Sequence, residues 1–285
     1  MRPHPFQQLL ESRLVFALPH RLTDVDHWHG HMPFAFFLVE MLQPSRIVEL
    51  GTWKGDSYCC LCQAVEASGV RAHATAIDTW TGDAVGGYGP DVLAELRAYH
   101  EQRYARFSEL WAMTFDEARD EVEDGSIDLL HIDGNHSYEA VRHDFESWLP
   151  KMSDRGVVLM HDTNARGDGY EVWRLWEEVA ATYPSFEFSH SFGLGVLAVG
   201  SRPDAAVLAF LGEAAEHPGL ASRFFEALGD RVLLAGRNRR LGPELTLAQQ
   251  VLADVHATRT FRHTAQLRRG YSWLRTKLRR GLRTA

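Results

Sequence analysis

The stretch Ser126-Ile-Asp-Leu-Leu-His-Ile-Asp133-Gly-Asn-His136-Ser-Tyr138 decides the fold that the sequence predicts. An apolar run over 127–132 stops at Asp133 and Gly134, which is the pattern of a buried parallel strand whose carboxyl end meets a loop. Because ligands of open α/β sheets bind at that edge, we expect Asp133 and His136 to face a ligand together. A carboxylate there can hold a cation, and an imidazole beside it can accept a proton.

A second apolar run ends in the same way. Residues 157–160 precede His161-Asp162-Thr163-Asn164, so a second strand also presents an acid at the edge of the sheet. Since the carboxyl ends of parallel strands meet at one edge, the sequence predicts a single site built from both strand ends.

The composition of the 285-residue chain is that of a globular protein. Hydrophobic residues make up 45% of it, and the formal net charge of −8 argues against a specific nucleic-acid partner. The three cysteines lie together at 59, 60 and 62 in a predicted helix, which favours buried thiols over a disulfide framework or a zinc site and points to the cytoplasm. With no signal-peptide pattern and no long uncharged apolar run, we expect neither secretion nor membrane spanning.

Residues 1–44 are predicted to form a helical cap. An apolar and aromatic helix is expected after Met32, and Pro44 closes it. The histidines and tryptophan before this helix fit a packed lid on the sheet. They also fit a wall of the ligand site, and Trp28 and His31 are the candidates for that second interpretation.

A strand over 46–50 opens into the glycine turn Glu49-Leu-Gly51-Thr-Trp-Lys-Gly55-Asp-Ser57 and a helix over 58–67. Glycine lets the backbone approach a ligand, and a helix N-terminus offers free N–H groups. The spacing differs from the dinucleotide fingerprint G-x-G-x-x-G, which disfavours a nicotinamide dehydrogenase. A glycine pair also fits an ordinary tight turn, but the next strand ends in Asp78, where acids bind ribose hydroxyls.

Strands and helices alternate up to Gly200. Further helices are predicted over 91–107, 116–122, 139–149 and 170–183, further strands over 109–113, 186–190 and 196–199, and a turn over 153–156. The pattern predicts an α/β fold with a doubly wound, mostly parallel sheet of seven strands. Residues 45–200 would form the ligand-binding domain. Residues 201–285 would form a helical extension, with helices over 205–215, 220–228 and 245–255.

These motifs resemble one protein family. The glycine turn, Asp78, the motif His131–Tyr138, and Trp148-Leu-Pro followed by 156–162 resemble class I S-adenosylmethionine-dependent methyltransferases. Within that class they resemble the macrocin O-methyltransferase and cephalosporin-hydroxylase-like group, which includes sugar O-methyltransferases of natural-product pathways and members found with glycosyltransferases. The resemblance covers about residues 28–200 and implies a Rossmann-like methyltransferase fold. It also implies methyl transfer to a hydroxyl of a sugar or of a glycosylated natural product.

The resemblance further implies roles for individual residues. S-adenosylmethionine would contact Glu49, Gly51, Thr52, Gly55, Ser57, Asp78, Thr79, Thr114, Phe115 and Asp133. In this group Asp133 takes part in catalysis, His136 is the general base, and a magnesium ion would be held by Asp133, His161 and Asp162. Related enzymes often carry Glu-Asp where this chain has His161-Asp162. Because magnesium prefers oxygen ligands, the identity of the metal stays open.

The spacing of the central motif alone leaves two interpretations open. Asp133 fits a cap for the next helix, and His136 fits a structural loop histidine. The resemblance favours catalysis, in which a cation at Asp133 and Asp162 lowers the pKa of a hydroxyl and His136 removes its proton. A catalytically silent cofactor-binding module that serves a glycan-assembly complex is the second function class. Intact Asp133, His136 and Asp162 favour the enzyme.

The C-terminal residues 256–285 are basic and contain no acid. Such a tail fits a peripheral contact with an anionic membrane surface, a contact with a protein partner, or a solvated helical face. We expect a homo-oligomer, and we expect acceptor specificity to depend on the glycine-rich loop over 79–90.

Overall fold

The central layer of the protein is one twisted sheet. The structure is a computed structural model that describes residue 9 and residues 11–82, 89–167 and 169–257. The strands in this part of the chain are β1 Arg46–Leu50, β2 His73–Asp78, β3 Ser108–Ala112, β4 Ile127–Ile132, β5 Met152–His161, β6 Ser185–Phe188 and β7 Leu194–Ala198. They lie in the order β3-β2-β1-β4-β5-β7-β6. The first five are parallel, and β7 runs antiparallel to β5 and β6. The predicted fold class is confirmed.

Helices cover both faces of this sheet. In the described residues they are α1 Met32–Leu42, α2 Asp56–Ser68, α3 Pro90–Glu101, α4 Phe115–Asp120, α5 Tyr138–Trp148, α6 Val172–Ala180, α7 Ala205–Glu216 and α8 Pro218–Ala257. Successive strand residues point to opposite faces, so Ile47 packs into the core under α1 and α2, whereas Val48 packs into the core under α5 and α6. In α6 the buried residues recur at helical spacing, at Val172, Leu175, Trp176 and Val179.

Three parts of the sequence prediction differ from the structure by more than three residues. Residues 153–156 were expected to form a turn, but they lie inside β5, where the strand starts with partly exposed polar residues. The helix expected to reach residue 107 ends at Glu101, because the backbone tightens into turns such as Phe107 N–H to Tyr104 O. The helices expected over 220–228 and 245–255 are parts of α8, which continues through an arginine- and leucine-rich segment and contains Pro243.

The cap before β1 and the extension after β7 differ in secondary structure. In the cap, α1 lies where it was predicted, whereas residues 17–28 have no regular secondary structure. By its internal contacts the chain divides into two compact units, residues 1–236 and 237–285. The basic residues after Ala257 and part of the glycine-rich loop, residues 83–88, lie outside the described residues. Within the described part, we find no helix with the length and apolar composition needed to cross a bilayer.

The three cysteines behave as predicted for buried thiols. Cys59, Cys60 and Cys62 lie in α2, and all three are buried and free. Burial raises the pKa of each thiol, that of Cys62 to about 12. These side chains therefore serve as small core residues.

Candidate functional site

A cavity of about 470 Å³ opens at the carboxyl ends of the central strands. It lies where the strand order reverses between β1 and β4, the place where open α/β sheets bind ligands. Its volume is within the usual range for small-molecule sites. Twelve predicted residues line it, namely Gly51, Thr52, Gly55, Ser57, Asp78, Thr79, Thr114, Phe115, Asp133, His136, His161 and Asp162. Among the residues predicted to bind the cofactor or a metal or to take part in catalysis, Glu49 is the one that does not line the cavity.

The glycine turn is packed tightly against the loop that follows β4. Gly51 has φ +84°, and a Cβ atom on it would lie 2.2 Å from the carbonyl oxygen of Asp133. Gly55 has φ +76°, and a Cβ atom there would lie 2.5 Å from a methyl group of Leu96. Only glycine combines these left-handed conformations with this close approach. The turn therefore brings the backbone of β1 directly to the cavity.

Asp78, at the end of β2, holds the glycine turn in place. Its carboxylate accepts hydrogen bonds from the backbone N–H groups of Thr52 (3.0 Å), Trp53 (2.8 Å) and Trp80 (2.7 Å). The residue also lies on the cavity wall, so it both shapes the turn and borders the cavity. Its contact with ribose hydroxyls stays a prediction.

Thr114 and Phe115 form the wall at the end of β3. Thr114 caps α4 and exchanges hydrogen bonds with Glu117 in a capping box, which fixes the start of the helix. The ring of Phe115 lies against Gly134, where a Cβ atom would come within 2.7 Å of it. An apolar ring beside the cavity suits a flat base such as adenine.

Asp133, His136 and Asp162 converge in the cavity. Each offers one ligand atom, and these atoms lie within 4.8 Å of one another. His136 Nε2 is 3.0 Å from Asp162 Oδ2, and the His136 ring stacks on Tyr170 at 4.6 Å. The two carboxylates can accept a divalent cation. An imidazole as third ligand would suit a transition metal better than magnesium.

His161 lies behind these acids rather than beside them. Its Nδ1 is 3.1 Å from Asp133 Oδ1 and 3.5 Å from Asp162 Oδ1, and its Nε2 is 3.1 Å from the Ser191 carbonyl oxygen. Both ring nitrogens of His161 thus have hydrogen-bond partners. The imidazole that lies beside the two carboxylates is that of His136, whereas the sequence predicted His161 there. Spacing could not show this, because Asp162 turns the chain with φ +62° directly after β5.

Charges within the cluster stabilise one another. Burial lowers the pKa of His161, but the charges of Asp133 and Asp162 outweigh burial and hold that pKa well above its usual value. Burial also lowers the pKa of His136, and the hydrogen bond to Asp162 with the charge of Asp133 raises it beyond the usual value. Conversely, the two imidazoles hold the pKa of Asp162 well below its usual range despite burial. A cation that binds the acids would release protons from these imidazoles.

Glu49 takes part in a buried hydrogen-bonded chain instead of lining the cavity. Its Oε2 is 2.8 Å from His131 Nδ1, and Trp28 Nε1 donates to His131 Nε2 at 3.1 Å. Burial raises the pKa of Glu49, while the hydrogen bond with His131 opposes the rise. Trp28 does reach the cavity wall, whereas His31 is fully buried with Nε2 at 3.1 Å from Ser191 O.

Outside the motifs and the glycine-rich loop singled out in the sequence, three residues of the wall were not predicted as site residues: Val25, His27 and Tyr170. Val25 and His27 lie in the irregular part of the cap, and Tyr170 precedes α6. No motif or periodic pattern marks these positions. The histidine and tryptophan cluster before α1 was the single signal for the cap side.

Asp144, in α5, gives a pH-dependent prediction. Its carboxyl lies close to Gly134, and burial raises its pKa to about 7 although the charge of His143 opposes this. In the unfolded chain an aspartate titrates near 3.9, so folding takes up a proton between about pH 4 and 7 and stability falls as pH rises. We expect Asp144→Asn to raise the free energy of unfolding at pH 8 by about 1–3 kcal/mol. The gain should vanish near pH 4.

Denaturant unfolding at pH 4, 6 and 8 measures this effect. Asp120→Asn is the control, since the Asp120 carboxylate is 77% exposed. A gain for Asp144→Asn that is the same at all three pH values would contradict the expected titration.

Comparisons with known proteins give one family match and one close relative. Residues 48–163 match a family model described as a methyltransferase domain. The chain is 49% identical over 180 residues to the uncharacterized protein y4gI of Sinorhizobium fredii, over 63% of this chain and 20% of that protein. The match thus spans about a fifth of the length of this relative.

Similar solved structures include a putative caffeoyl-CoA O-methyltransferase from Staphylococcus aureus, with 15% identity, a TM-score of 0.48, and coverage of 61% of this chain and 84% of that one. Another is the O-methyltransferase TomG from Streptomyces achromogenes, solved with S-adenosylmethionine, with 15% identity, a TM-score of 0.45, and coverage of 70% and 91%.

Proposed function

We propose that the chain is a class I S-adenosylmethionine-dependent methyltransferase that methylates a hydroxyl oxygen with the assistance of a divalent cation. The match of residues 48–163 to a methyltransferase domain and the strand order of the sheet support this proposal. The acceptor in this proposal is a polyhydroxylated small molecule, a sugar or a glycosylated natural product. The observation that carries the proposal is the cluster of Asp133, His136 and Asp162 inside the cavity that the glycine turn borders.

Methyl transfer from a sulfonium needs an oxygen nucleophile in line with the methyl carbon. Most of the rate gain comes from holding the two in near-attack geometry, which the cavity walls supply. A hydroxyl is a weak nucleophile while it is protonated, so a base within reach speeds the reaction. His136 faces the cavity, its side chain is 20% exposed, its ring stacks on Tyr170, and it is the base in this proposal.

The acids have a separate task. Asp133 and Asp162 would hold a divalent cation, which when bound lowers the pKa of a coordinated hydroxyl. His161 fixes both carboxylates from behind through its Nδ1. An imidazole and two carboxylates thus lie together in the cavity, and in this proposal vicinal hydroxyls of a sugar bind beside them.

Binding and turnover experiments test the proposal. We expect S-adenosylmethionine and S-adenosylhomocysteine to bind to the full-length protein in calorimetric titrations, and a panel of sugar and phenol acceptors to give S-adenosylhomocysteine release for a polyhydroxylated member. Chelation should lower turnover at least about tenfold, and Mg²⁺ or Mn²⁺ should restore it. Asp133→Asn and Asp162→Asn should weaken Mn²⁺ binding, whereas Asp124→Asn, an exposed partner of Lys151, should not.

The outcomes separate the parts of the proposal. Failure to bind either cofactor form would contradict the methyltransferase site itself. Cofactor binding without turnover on any acceptor would instead support the silent binding module. Turnover that is insensitive to chelation would contradict the role of the metal but not the role of His136 as the base.

A further inference from the structure

We infer that Glu49 is a positioning residue: through His131 it holds Trp28, and with Trp28 it fixes the segment of the cap that forms the acceptor-side wall of the cavity. The inference rests on the proposed function only in calling that wall the acceptor side. We call residues 20–29 the strap.

Hydrogen-bond chemistry allows one arrangement of donors and acceptors in the series Glu49–His131–Trp28. The Trp28 indole nitrogen is a donor only, so His131 Nε2 must be the acceptor at 3.1 Å. In a neutral imidazole the proton then lies on Nδ1, which donates to Glu49 Oε2 at 2.8 Å. The three side chains therefore act in series. Glu49 determines the tautomer and the orientation of His131, and His131 determines the orientation of the Trp28 ring.

Because these three side chains are buried, breaking a hydrogen bond between them is energetically costly. Glu49 and His131 are fully buried, and Trp28 is 4% exposed. Removing one partner leaves a buried polar group unsatisfied, which destabilises the folded protein. The Trp28 ring also packs edge to face on His131 at 5.2 Å and on His31 at 6.0 Å, so a change in its orientation would disturb this packing.

The strap is anchored at a second point on the glycine-turn side. Thr23 donates from its backbone N–H (2.8 Å) and its hydroxyl (2.6 Å) to the Asp56 carboxylate, and His29 Nε2 is 2.8 Å from the same group. Arg21 Nε donates to the Lys54 carbonyl oxygen at 2.8 Å. Asp56 thus ties the strap to the first turn of α2, and Trp28 ties it to β1 and β4.

Between these anchors the strap contributes Val25 and His27 to the cavity, next to Trp28 itself. The predicted cofactor contacts lie on the strand ends and the glycine turn, so the strap forms a part of the wall that the cofactor does not need. Fixing the strap therefore fixes the space left for an acceptor.

Nuclear magnetic resonance of the indole N–H groups tests the hydrogen bonds between Glu49, His131 and Trp28 directly, without a methyl acceptor. The protein has 8 tryptophans, and in ¹⁵N-tryptophan-labelled protein the Trp28 signal is the one that Trp28→Phe removes. We expect Glu49→Gln to leave this signal in place, since the amide oxygen still accepts from Nδ1–H. Glu49→Ala should shift it, and so should Glu49→Asp, whose carboxylate is too short to reach His131.

Binding of S-adenosylhomocysteine gives the second measurement. We expect the Kd to stay within about threefold for both Glu49→Gln and Glu49→Ala, because the strap lies apart from the predicted cofactor contacts. If Glu49 contacted the cofactor itself, the alanine variant would lose about tenfold or more in affinity. That result, or an unmoved Trp28 signal in Glu49→Ala and Glu49→Asp, would overturn the inference.

Val48→Ala is the matched control. Val48 neighbours Glu49 in β1, is fully buried and packs into the core on the opposite face of the sheet. This variant should lower the melting temperature but leave the Trp28 signal and the Kd unchanged; a shift of the signal here would mean that general destabilisation explains the effect. Absence of cofactor binding to the unmodified protein would contradict the proposed function and leave the resonance test of the chain intact.

Discussion

Replacement of His136 by alanine should lower the rate of methyl transfer by on the order of 10²- to 10⁴-fold, the usual contribution of a general base. The affinity for S-adenosylmethionine should stay within about threefold, because the predicted cofactor contacts lie elsewhere on the cavity wall. Release of S-adenosylhomocysteine, with the acceptor that the unmodified protein methylates, measures the rate, and calorimetry measures the affinity.

His143→Ala is the control for this variant. His143 is an exposed histidine of α5 that pairs with Asp116 at 3.0 Å, so its loss removes an imidazole close in sequence without touching the cavity. Unchanged turnover in His136→Ala would rule out His136 as the base. Loss of Mn²⁺ affinity together with turnover would instead identify His136 as a ligand of the metal.

Replacement of Gly51 by alanine should have the largest effect on the folded state. The added Cβ atom would lie 2.2 Å from the carbonyl oxygen of Asp133 and 2.9 Å from Gly134 Cα, and these are backbone atoms that cannot rotate away. The left-handed conformation at φ +84° adds about 1–2 kcal/mol of strain to an overpacking cost of about 1–3 kcal/mol. Together these costs are a large part of the roughly 5–15 kcal/mol that stabilises a typical domain.

We therefore expect Gly51→Ala to unfold at a clearly lower denaturant concentration, and to lose cofactor affinity because β1 and the loop after β4 must separate. Gly69→Ala is the matched control. Gly69 has φ +71°, a similar conformation, but no atom lies within 4 Å of the position of its Cβ, so only the conformational strain remains. Equal unfolding midpoints for the two variants would show that the close approach at Gly51 has no energetic weight.

Much of the fold was predictable because buried parallel strands have a distinctive sequence. Each is a short apolar run that ends at a polar or glycine residue, as residues 127–132 end at Asp133. The strand β5 was harder, since its first residues are polar and partly exposed and resemble a turn. The long helix α8 was broken in the prediction because Pro243 and the glycines near it suggest a stop.

The site was predictable as far as strand topology determines it. The acids at 133 and 162 follow two parallel strands that are neighbours in the sheet, so their proximity follows from the fold. The direction of each side chain does not. The backbone conformation of Asp162 sets His161 behind the acids, and the burial of Glu49 against His131 removes it from the cavity wall. Neither feature can be predicted from the spacing of residues in the sequence.

The contact between Trp28 and His131 joins positions 103 residues apart in the chain. On the ribosome, the cap is synthesised long before β4, so Trp28 cannot donate to His131 until more than a hundred further residues have been added. The wall of the cavity that the strap forms is consequently among the last parts that the nascent chain can complete. A protein interrupted before residue 131 would have a glycine turn and no finished pocket.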